Sequence, residues 1–296
     1  MHVREGLPLV TIEFETKHQC RSCFSQLKTS LETFDQLKRE VFLSRDEAET
    51  RIHIVLQHTC SEERMNALSI LAAVMANYTL KRHLPVWLEE VVRCRFFYDE
   101  PGEAETIIAI ARELLAGEHT EIQLEKSLPA LQRSLYTHFY TVLKETEQFS
   151  YASFIQFRLR ELKDDLVECV EWAIDEFKME QEYQMMVDAC RDYLKENQPL
   201  FDAVHVNLDD EPASFYDDDG TRFSNNDILD LLDDEVTFDG SLPVSERIIS
   251  PLVSMAPEKL NLYCSGNEDE GYVIRTLLAI FEERVTFCQE PYRKHQ

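Results

Sequence analysis

The sequence predicts an α+β protein with a small N-terminal strand–helix lobe (1–60), a central helical layer with one long helix (61–198) and a C-terminal α/β module (199–296). Three patterns predict these parts. Apolar residues alternate in short segments near both ends, as they do in half-buried strands. They recur at steps of three and four through the middle, which is typical of helices with one buried face. The stretch from Ser150 to Gln198 contains neither glycine nor proline, which favours a long helix.

The N-terminal lobe is predicted to start with a strand over Leu9–Glu15, where apolar and polar residues alternate. A helix over 18–37 follows, and then two short strands over Glu40–Leu43 and Arg51–Leu56. Ser61 suits the N-cap of the next helix because its side chain can accept a hydrogen bond from the first turn. The order strand–helix–strand–strand–helix is half of a ferredoxin-like arrangement, for which the sequence shows no clear fourth strand.

The central layer is predicted to be helical, with a Pro-Gly turn at Asp99–Gly102 and a helix over Leu128–Leu143. The long helix should begin near Ser150 and end at Pro199, because proline forces the preceding residue out of the helical conformation. Its apolar stripe consists of Ile155, Leu159, Leu162, Leu166, Val170, Ala173 and Phe177, and then Met186, Cys190 and Leu194. The stripe thins around Lys178–Gln181, which predicts a bend that divides the element into two helices.

The C-terminal module is predicted to alternate strands with helices, which favours an α/β layer whose last two strands are parallel. The strands are Ala203–Leu208, Ser214–Asp217, Lys259–Cys264 and Val285–Cys288, and the helices are Asn226–Leu232, Ser245–Ala256 and Tyr272–Glu282. Pro251 should bend or shorten the second of these helices. Asp219-Gly220 predicts a hairpin turn in which both central residues have positive φ.

Composition disfavours several classes of function. Thirty basic and 56 acidic residues give a formal net charge of −26, which disfavours binding to nucleic acid and to anionic membranes. The longest apolar stretch, 68–80, is too short to cross a bilayer. The first residues lack the features of a signal peptide, and the eight scattered cysteines are typical of reduced thiols. We therefore expect a cytoplasmic protein that binds neither nucleic acid nor membranes and needs no cofactor.

The sequence resembles the YtxC family, a group of sporulation-associated proteins of endospore-forming bacteria. The resemblance rests on Phe154–Leu159, Asp175-Glu176-Phe177, Glu180, Glu182-Tyr183, Gln198, Val204-His205-Val206, Asp219-Gly220, Ile248–Pro257 and Lys259–Tyr263, with similarity in outline over Leu80–Leu115. Ser153 and Gln156 stand where the family usually has a glycine and a basic residue. The resemblance implies a sporulation context in the cytoplasm, and it implies no particular reaction.

Cys20 and Cys23 form a CxxC pair that could share a metal ion or cycle as a redox pair. His18 lies two residues before the pair, and His58 and Cys60 could complete a four-ligand site. The simpler interpretation is two apolar thiols on successive turns of an amphipathic helix, because a CxxC without a second pair is a weak signal. The sequence favours this second interpretation.

Acidic residues cluster after the predicted strands of the C-terminal module. Asp209, Asp217, Asp219 and Asp227 would form a magnesium site, as in a metal-dependent hydrolase, if their side chains converged in one cleft. The spacing around Gly220 excludes an EF-hand, because Phe215 and Asn226 fall where carboxylates are required. Aspartates in succession are more often turn formers and solvated charges, and this interpretation is favoured.

Two further polar features have structural interpretations. The carboxylates of Asp164, Glu168, Glu171 and Asp175 share one helix face, which resembles a di-iron row but lacks the histidines that such sites need. A solvated face opposite the apolar stripe is the better interpretation. His205 lies on the strand face opposite Val204 and Val206, and a buried histidine there is more often a satisfied core residue than a catalytic base.

Phe157, Arg158 and Arg160 form the candidate interaction surface. Arg160 has a carboxylate one turn later at Asp164, whereas Arg158 has Leu162 at that position. In so acidic a chain, Arg158 could bind a carboxylate elsewhere in the fold or on a partner, and the intramolecular ion pair is the favoured interpretation.

The chain lacks the G-x-S-x-G, H-E-x-x-H, P-loop and G-x-G-x-x-G patterns. This favours a non-catalytic protein that binds an unidentified protein partner, and the resemblance to the YtxC family implies that it acts in sporulation. The alternatives are a metal-dependent hydrolase in the C-terminal module and a metal- or redox-binding protein that uses Cys20 and Cys23.

Overall fold

The computed structural model describes residues 10–33, 41–56, 61–118, 127–210, 212–232, 246–264, 271–288 and 292. The strands are β1 (Val10–Glu13), β2 (Val41–Arg45), β3 (Arg51–Leu56), β4 (Gln148–Ser150), β5 (Ala203–Asn207), β6 (Ser214–Tyr216), β7 (Lys259–Tyr263) and β8 (Val285–Cys288). The helices are α1 (Lys17–Thr33), α2 (Ser61–Glu90), α3 (Pro101–Ala116), α4 (Leu128–Glu145), α5 (Tyr151–Arg158), α6 (Arg160–Glu196), α7 (Asn225–Leu231), α8 (Glu246–Met255) and α9 (Tyr272–Phe281). These elements confirm the predicted α+β class.

The chain forms two compact units, Met1–Phe177 and Lys178–Gln296, each with its own sheet. The predicted three-part division at residues 60 and 198 is a statement about sequence organisation, and it stays a prediction. Among the described residues, no helix has both the length and the apolar character that a membrane crossing requires.

The sheet of the first unit has the strand order β2-β3-β1-β4. Strand β3 is antiparallel to both of its neighbours, β1 and β2, as expected of half a ferredoxin-like sheet. The fourth strand, which the sequence did not reveal, is β4, and it pairs in parallel with β1. A ferredoxin-like sheet has its last strand antiparallel to the first, so the resemblance ends with β3. β4 could not be predicted from the sequence, because three residues are too few to show the alternation of apolar and polar residues that indicates a strand.

The core of the first unit is built where the predicted apolar faces meet. Val10, Ile12, Ile52 and Ile54 of the sheet are fully buried, together with residues of α1, α2, α3 and α4. Between α2 and α3, the backbone forms a π-helical turn over Val91–Arg95. Pro101 is the first residue of α3, where its missing N–H costs nothing. The turn predicted at Asp99–Gly102 therefore overlaps the start of α3, which contains Pro101 and Gly102.

The predicted long helix is interrupted at a different place from the one expected. Ser150 caps α5, because its Oγ accepts a hydrogen bond from the Ser153 N–H at 3.3 Å. Leu159, which is fully buried, has φ −107° and ψ 22° and separates α5 from α6. Helix α6 then continues through Lys178–Gln181, so the prediction of two helices divided there is wrong. The stripe thins because residues up to Phe177 join the first core and residues from Met186 join the second.

The sheet of the second unit has the order β6-β5-β7-β8. Strands β5, β7 and β8 are parallel, as predicted for the last two, and β6 is antiparallel to β5. One face of this sheet is apolar and buried through Val204, Val206, Leu260 and Leu262, which pack in one core with residues of α6, α8 and α9. The other face carries polar and aromatic side chains.

The turn after β6 differs from the expected type. The Gly220 N–H donates to the Asp217 carbonyl at 3.0 Å, and Gly220 has φ 73°. Asp219 is not among the described residues with positive φ, so the prediction of two central residues with positive φ is wrong. The tight turn is followed by a glycine in the left-handed region, which is the other common way to close a hairpin.

Candidate functional site

The polar face of the second sheet brings chemistry-bearing side chains together. We call it the tyrosine face and define it by His205, Asn207, Tyr216 and Tyr263; the Tyr292 ring lies on it. Period-two alternation places His205 and Asn207 opposite the buried Val204 and Val206. Strand pairing sets His205 beside Tyr216, and Asn207 beside Tyr263.

Part of the tyrosine face lies at the carboxyl ends of two neighbouring strands. Asn207 is the last residue of β5, and Tyr263 is the last residue of β7. Because β5 and β7 are parallel and paired, these two residues lie at the same edge of the sheet.

A hydrogen bond and ring contacts position His205. Its Nδ1 lies 2.9 Å from the Tyr263 hydroxyl, and its ring stacks on Tyr292 with centroids 4.1 Å apart. Burial lowers the pKa of His205, and the negative charges of Asp218 and Asp217 oppose this effect. His205 is half-buried and hydrogen-bonded, which agrees with the satisfied histidine that the sequence favoured.

Tyr263 is held as a neutral phenol. Burial raises its pKa most, and a side-chain hydrogen bond with Cys288 on the neighbouring strand raises it further. A phenol with a raised pKa donates or accepts hydrogen bonds but is a poor base at neutral pH. Tyr263 is therefore better suited to hydrogen bonding than to proton abstraction.

Two of the four acidic residues of the hydrolase alternative, Asp217 and Asp227, have local structural roles. The Asp217 carboxylate accepts a hydrogen bond from the Thr221 N–H at 2.7 Å, within the turn that follows β6. Asp227 completes a capping box with Ser224 at the start of α7, and these hydrogen bonds lower its pKa. The described residues include no group of three or more His, Cys, Asp or Glu side chains that could hold a metal ion. This geometry favours the interpretation as turn formers.

Cys20 and Cys23 lie in the core of the first unit, and both side chains are 0% exposed. The Cys23 thiol lies 3.6 Å from the Met75 sulfur. Burial raises the pKa of both thiols, which makes them less reactive. His58 and Cys60 lie outside the described residues. The contacts favour two apolar core thiols over a redox pair.

A thiol reagent should distinguish these interpretations. We expect a maleimide to modify the exposed Cys94 of the native protein about tenfold or more faster than Cys20 and Cys23, because only an accessible thiolate reacts. Labelling in denaturant, followed by mass spectrometry of peptides, gives the matched control in which all these thiols react. Modification of native Cys20 or Cys23 as fast as Cys94 would contradict their assignment to the core.

The predicted interaction residues lie on both sides of the helix break at Leu159. Phe157 is 72% exposed, and Arg158 and Arg160 are also exposed. Neither arginine forms an ion pair with another described residue, so the expected Arg160–Asp164 pair is not formed there. We call these three residues the Phe157 surface.

The carboxylate row on α6 has the geometry of a solvated face. Asp164, Glu168, Glu171 and Asp175 are all exposed. The opposite face of the same helix is buried and includes Leu162, Leu166, Val170 and Ala173. This agrees with the interpretation that the sequence favoured over a di-iron row.

Sequence reasoning missed Asn207, Tyr263 and Tyr292 as members of one site. Alternation could have placed Asn207 and Tyr263 on the same face as His205, because each follows a buried residue of its strand. No local signal connects Tyr292 with residues more than eighty positions earlier. Its placement depends on the tertiary fold.

Together, these features define an α+β protein with two separate sheets, one polar sheet face and one exposed aromatic–arginine surface. The chain belongs to the YtxC-like family, whose profile matches residues 69–286. It is similar to a protein of Bacillus subtilis (strain 168) described as "Uncharacterized protein YtxC", with 28% identity over 190 residues. That match covers 64% of this chain and 66% of the relative, slightly under two thirds of each. No solved structure matches.

Proposed function

We propose that the protein acts in sporulation, in the cytoplasm, by binding a protein partner through the Phe157 surface and without catalysing a reaction. The observation that carries the proposal is an aromatic side chain 72% exposed beside two exposed arginines that have no ion-pair partner among the described residues. The sporulation context is what the resemblance to the YtxC family implies.

The chemistry of the Phe157 surface supports an acidic protein partner. Arg158 and Arg160 offer planar guanidinium groups that bind carboxylates bidentately. Phe157 offers an apolar anchor, and aromatic and arginine residues are enriched at the centres of interfaces. The formal net charge of −26 repels acidic partners at long range, so these arginines are the local attraction that recognition requires.

The helix break supports the same role. Leu159 is fully buried between exposed neighbours, so it anchors the backbone of the surface to the first core. The surrounding Phe154 and Leu162 are buried as well. A surface held by buried residues on both sides loses little backbone conformational entropy on binding.

A tagged pull-down from sporulating cells tests the proposal. We expect Arg158→Ala to keep its fold, with a free energy of unfolding within about 0.5 kcal/mol of wild type, because the side chain is exposed. We expect the recovered partner to fall by about tenfold or more, because the carboxylate it binds is left unpaired. Quantitative mass spectrometry of the recovered proteins, with thermal unfolding of each variant, measures both effects.

Arg133→Ala is the matched control, since Arg133 is an exposed arginine of the same unit on α4. It should recover the partner as wild type does. Equal recovery by wild type, Arg158→Ala and Phe157→Ala would remove the Phe157 surface from the interface. A strongly lowered unfolding midpoint for Arg158→Ala would make that arginine structural instead.

A further inference from the structure

Tyr292 occupies the tyrosine face in the way a bound ligand would. Its backbone N–H donates to the Asn207 Oδ1 at 3.1 Å, and the Asn207 residue is only 7% exposed. Its ring stacks on His205 at 4.1 Å and lies 5.3 Å from Tyr216 and 5.6 Å from Tyr263, between centroids. One side-chain acceptor, the Asn207 Oδ1, and three aromatic neighbours thus hold Tyr292.

The residues that receive Tyr292 belong to the sheet itself. His205 and Asn207 lie on β5, Tyr216 on β6 and Tyr263 on β7. The His205–Tyr263 hydrogen bond orients the imidazole ring on which Tyr292 stacks. Residues placed on paired strands form a more rigid receptor than residues on loops.

We propose that the tyrosine face is a recognition site for a peptide segment with an aromatic residue followed by basic residues, and that Tyr292 of the same chain occupies it as a built-in competitor. The aromatic preference follows from the three ring contacts. The preference for a peptide follows from Asn207, whose Oδ1 accepts from a backbone N–H.

Charge complementarity supports the proposal that the recognised peptide has basic residues after its aromatic residue. Asp217 and Asp218 lie close enough to His205 for their charges to act on its pKa. In the sequence, Tyr292 is followed directly by Arg293 and Lys294. The positive charges of a peptide of this composition complement the negative charges of Asp217 and Asp218, which favours its association with the tyrosine face and selects against acidic competitors. A partner with the same order of residues would compete for the same contacts.

Competition between Tyr292 and a free peptide should change the measured affinity for that peptide. A segment tethered close to its site acts at an effective concentration on the order of millimolar. Removal of the Tyr292 ring should therefore strengthen the binding of a free peptide of the same sequence by about tenfold or more. The wild-type chain should bind that peptide weakly, because its own ring fills the site.

Fluorescence anisotropy with a labelled peptide of residues 289–296, QEPYRKHQ, tests the proposal on the full chain. The expected result is saturable binding to the Tyr292→Ala variant and binding about tenfold or more weaker to wild type. Adding His205→Ala to Tyr292→Ala should abolish the gain, because the stacking partner is lost. The peptide with alanine in place of its tyrosine should not bind either chain.

Equal peptide binding by wild type and Tyr292→Ala would overturn the proposal, as would equal binding of the tyrosine and alanine peptides. Circular dichroism and the thermal midpoint establish that each variant is folded. If Tyr292→Ala unfolds, Tyr292→Leu keeps an apolar cover over the sheet without the stacking ring, and it should show the same gain. These outcomes are independent of the Phe157 surface, which lies in the other unit.

Discussion

Replacing Phe139 with alanine should lower the free energy of unfolding of the first unit by about 3–5 kcal/mol. The Phe139 side chain is 0% exposed, and its ring centroid lies 4.3 Å from that of Phe154. Deleting the ring loses its transfer free energy and leaves a cavity that the surrounding helices fill only in part. Urea denaturation measures the change. Trp87 and Trp172, the two tryptophans of the chain, both lie in this unit, so their fluorescence follows its unfolding.

Phe157→Ala is the matched control, because it deletes the same ring from a side chain that is 72% exposed. Its free energy of unfolding should stay within about 0.5 kcal/mol of wild type. A comparable loss in the two variants would mean that Phe157 packs against the core, and the Phe157 surface would lose its aromatic anchor. The pair therefore tests the core and the proposed interface together.

The first unit should lose stability as the pH falls from about 6.5 towards 4, because of His83. Its Nε2 is buried and has no hydrogen-bond partner among the described residues. Burial lowers the pKa of His83 to about 4, and the positive charges of Arg82 and Lys163 add to the effect. In this pH window the unfolded chain binds a proton at His83 and the folded chain does not, so acid favours unfolding. After allowance for partial exposure, the loss is about 2 kcal/mol.

His83→Phe isolates this contribution from the titration of the many carboxylates. Phenylalanine keeps a ring against Trp87, whose centroid lies 5.3 Å from that of His83, and it cannot be protonated. The difference in free energy of unfolding between pH 7 and pH 4.5 should be smaller for His83→Phe than for wild type by about 2 kcal/mol. An identical pH dependence in both proteins would show that His83 is protonated in the folded state.

Much of the fold was predictable because the signals are local. The α/β alternation, the parallel pairing of β7 and β8, the turn before α3 and the start of α5 follow from apolar periodicity, capping and proline chemistry. The same reasoning favoured core thiols for Cys20 and Cys23, and the buried environment of both agrees with it. Each of these signals spans no more than a few helical turns or one strand.

Other features were decided by contacts between distant residues. Strand β4 has three residues and is defined by its pairing with β1 rather than by its own pattern. Continuity of α6 through 178–181 depends on internal backbone hydrogen bonds, which form whether or not a side chain meets a core. The thinning of the apolar stripe on α6 therefore marks the change from one core to the next, and it does not mark the end of a helix.

The sequence by itself determined the α+β class, most element positions and the family resemblance, because periodicity and turn chemistry act between near neighbours. Only the tertiary structure decided where the long helix is interrupted, since Leu159 leaves the helical conformation while its side chain is buried in the core. It also decided that Tyr292 lies on His205, because strand pairing and the path of the chain bring together residues that no sequence window contains.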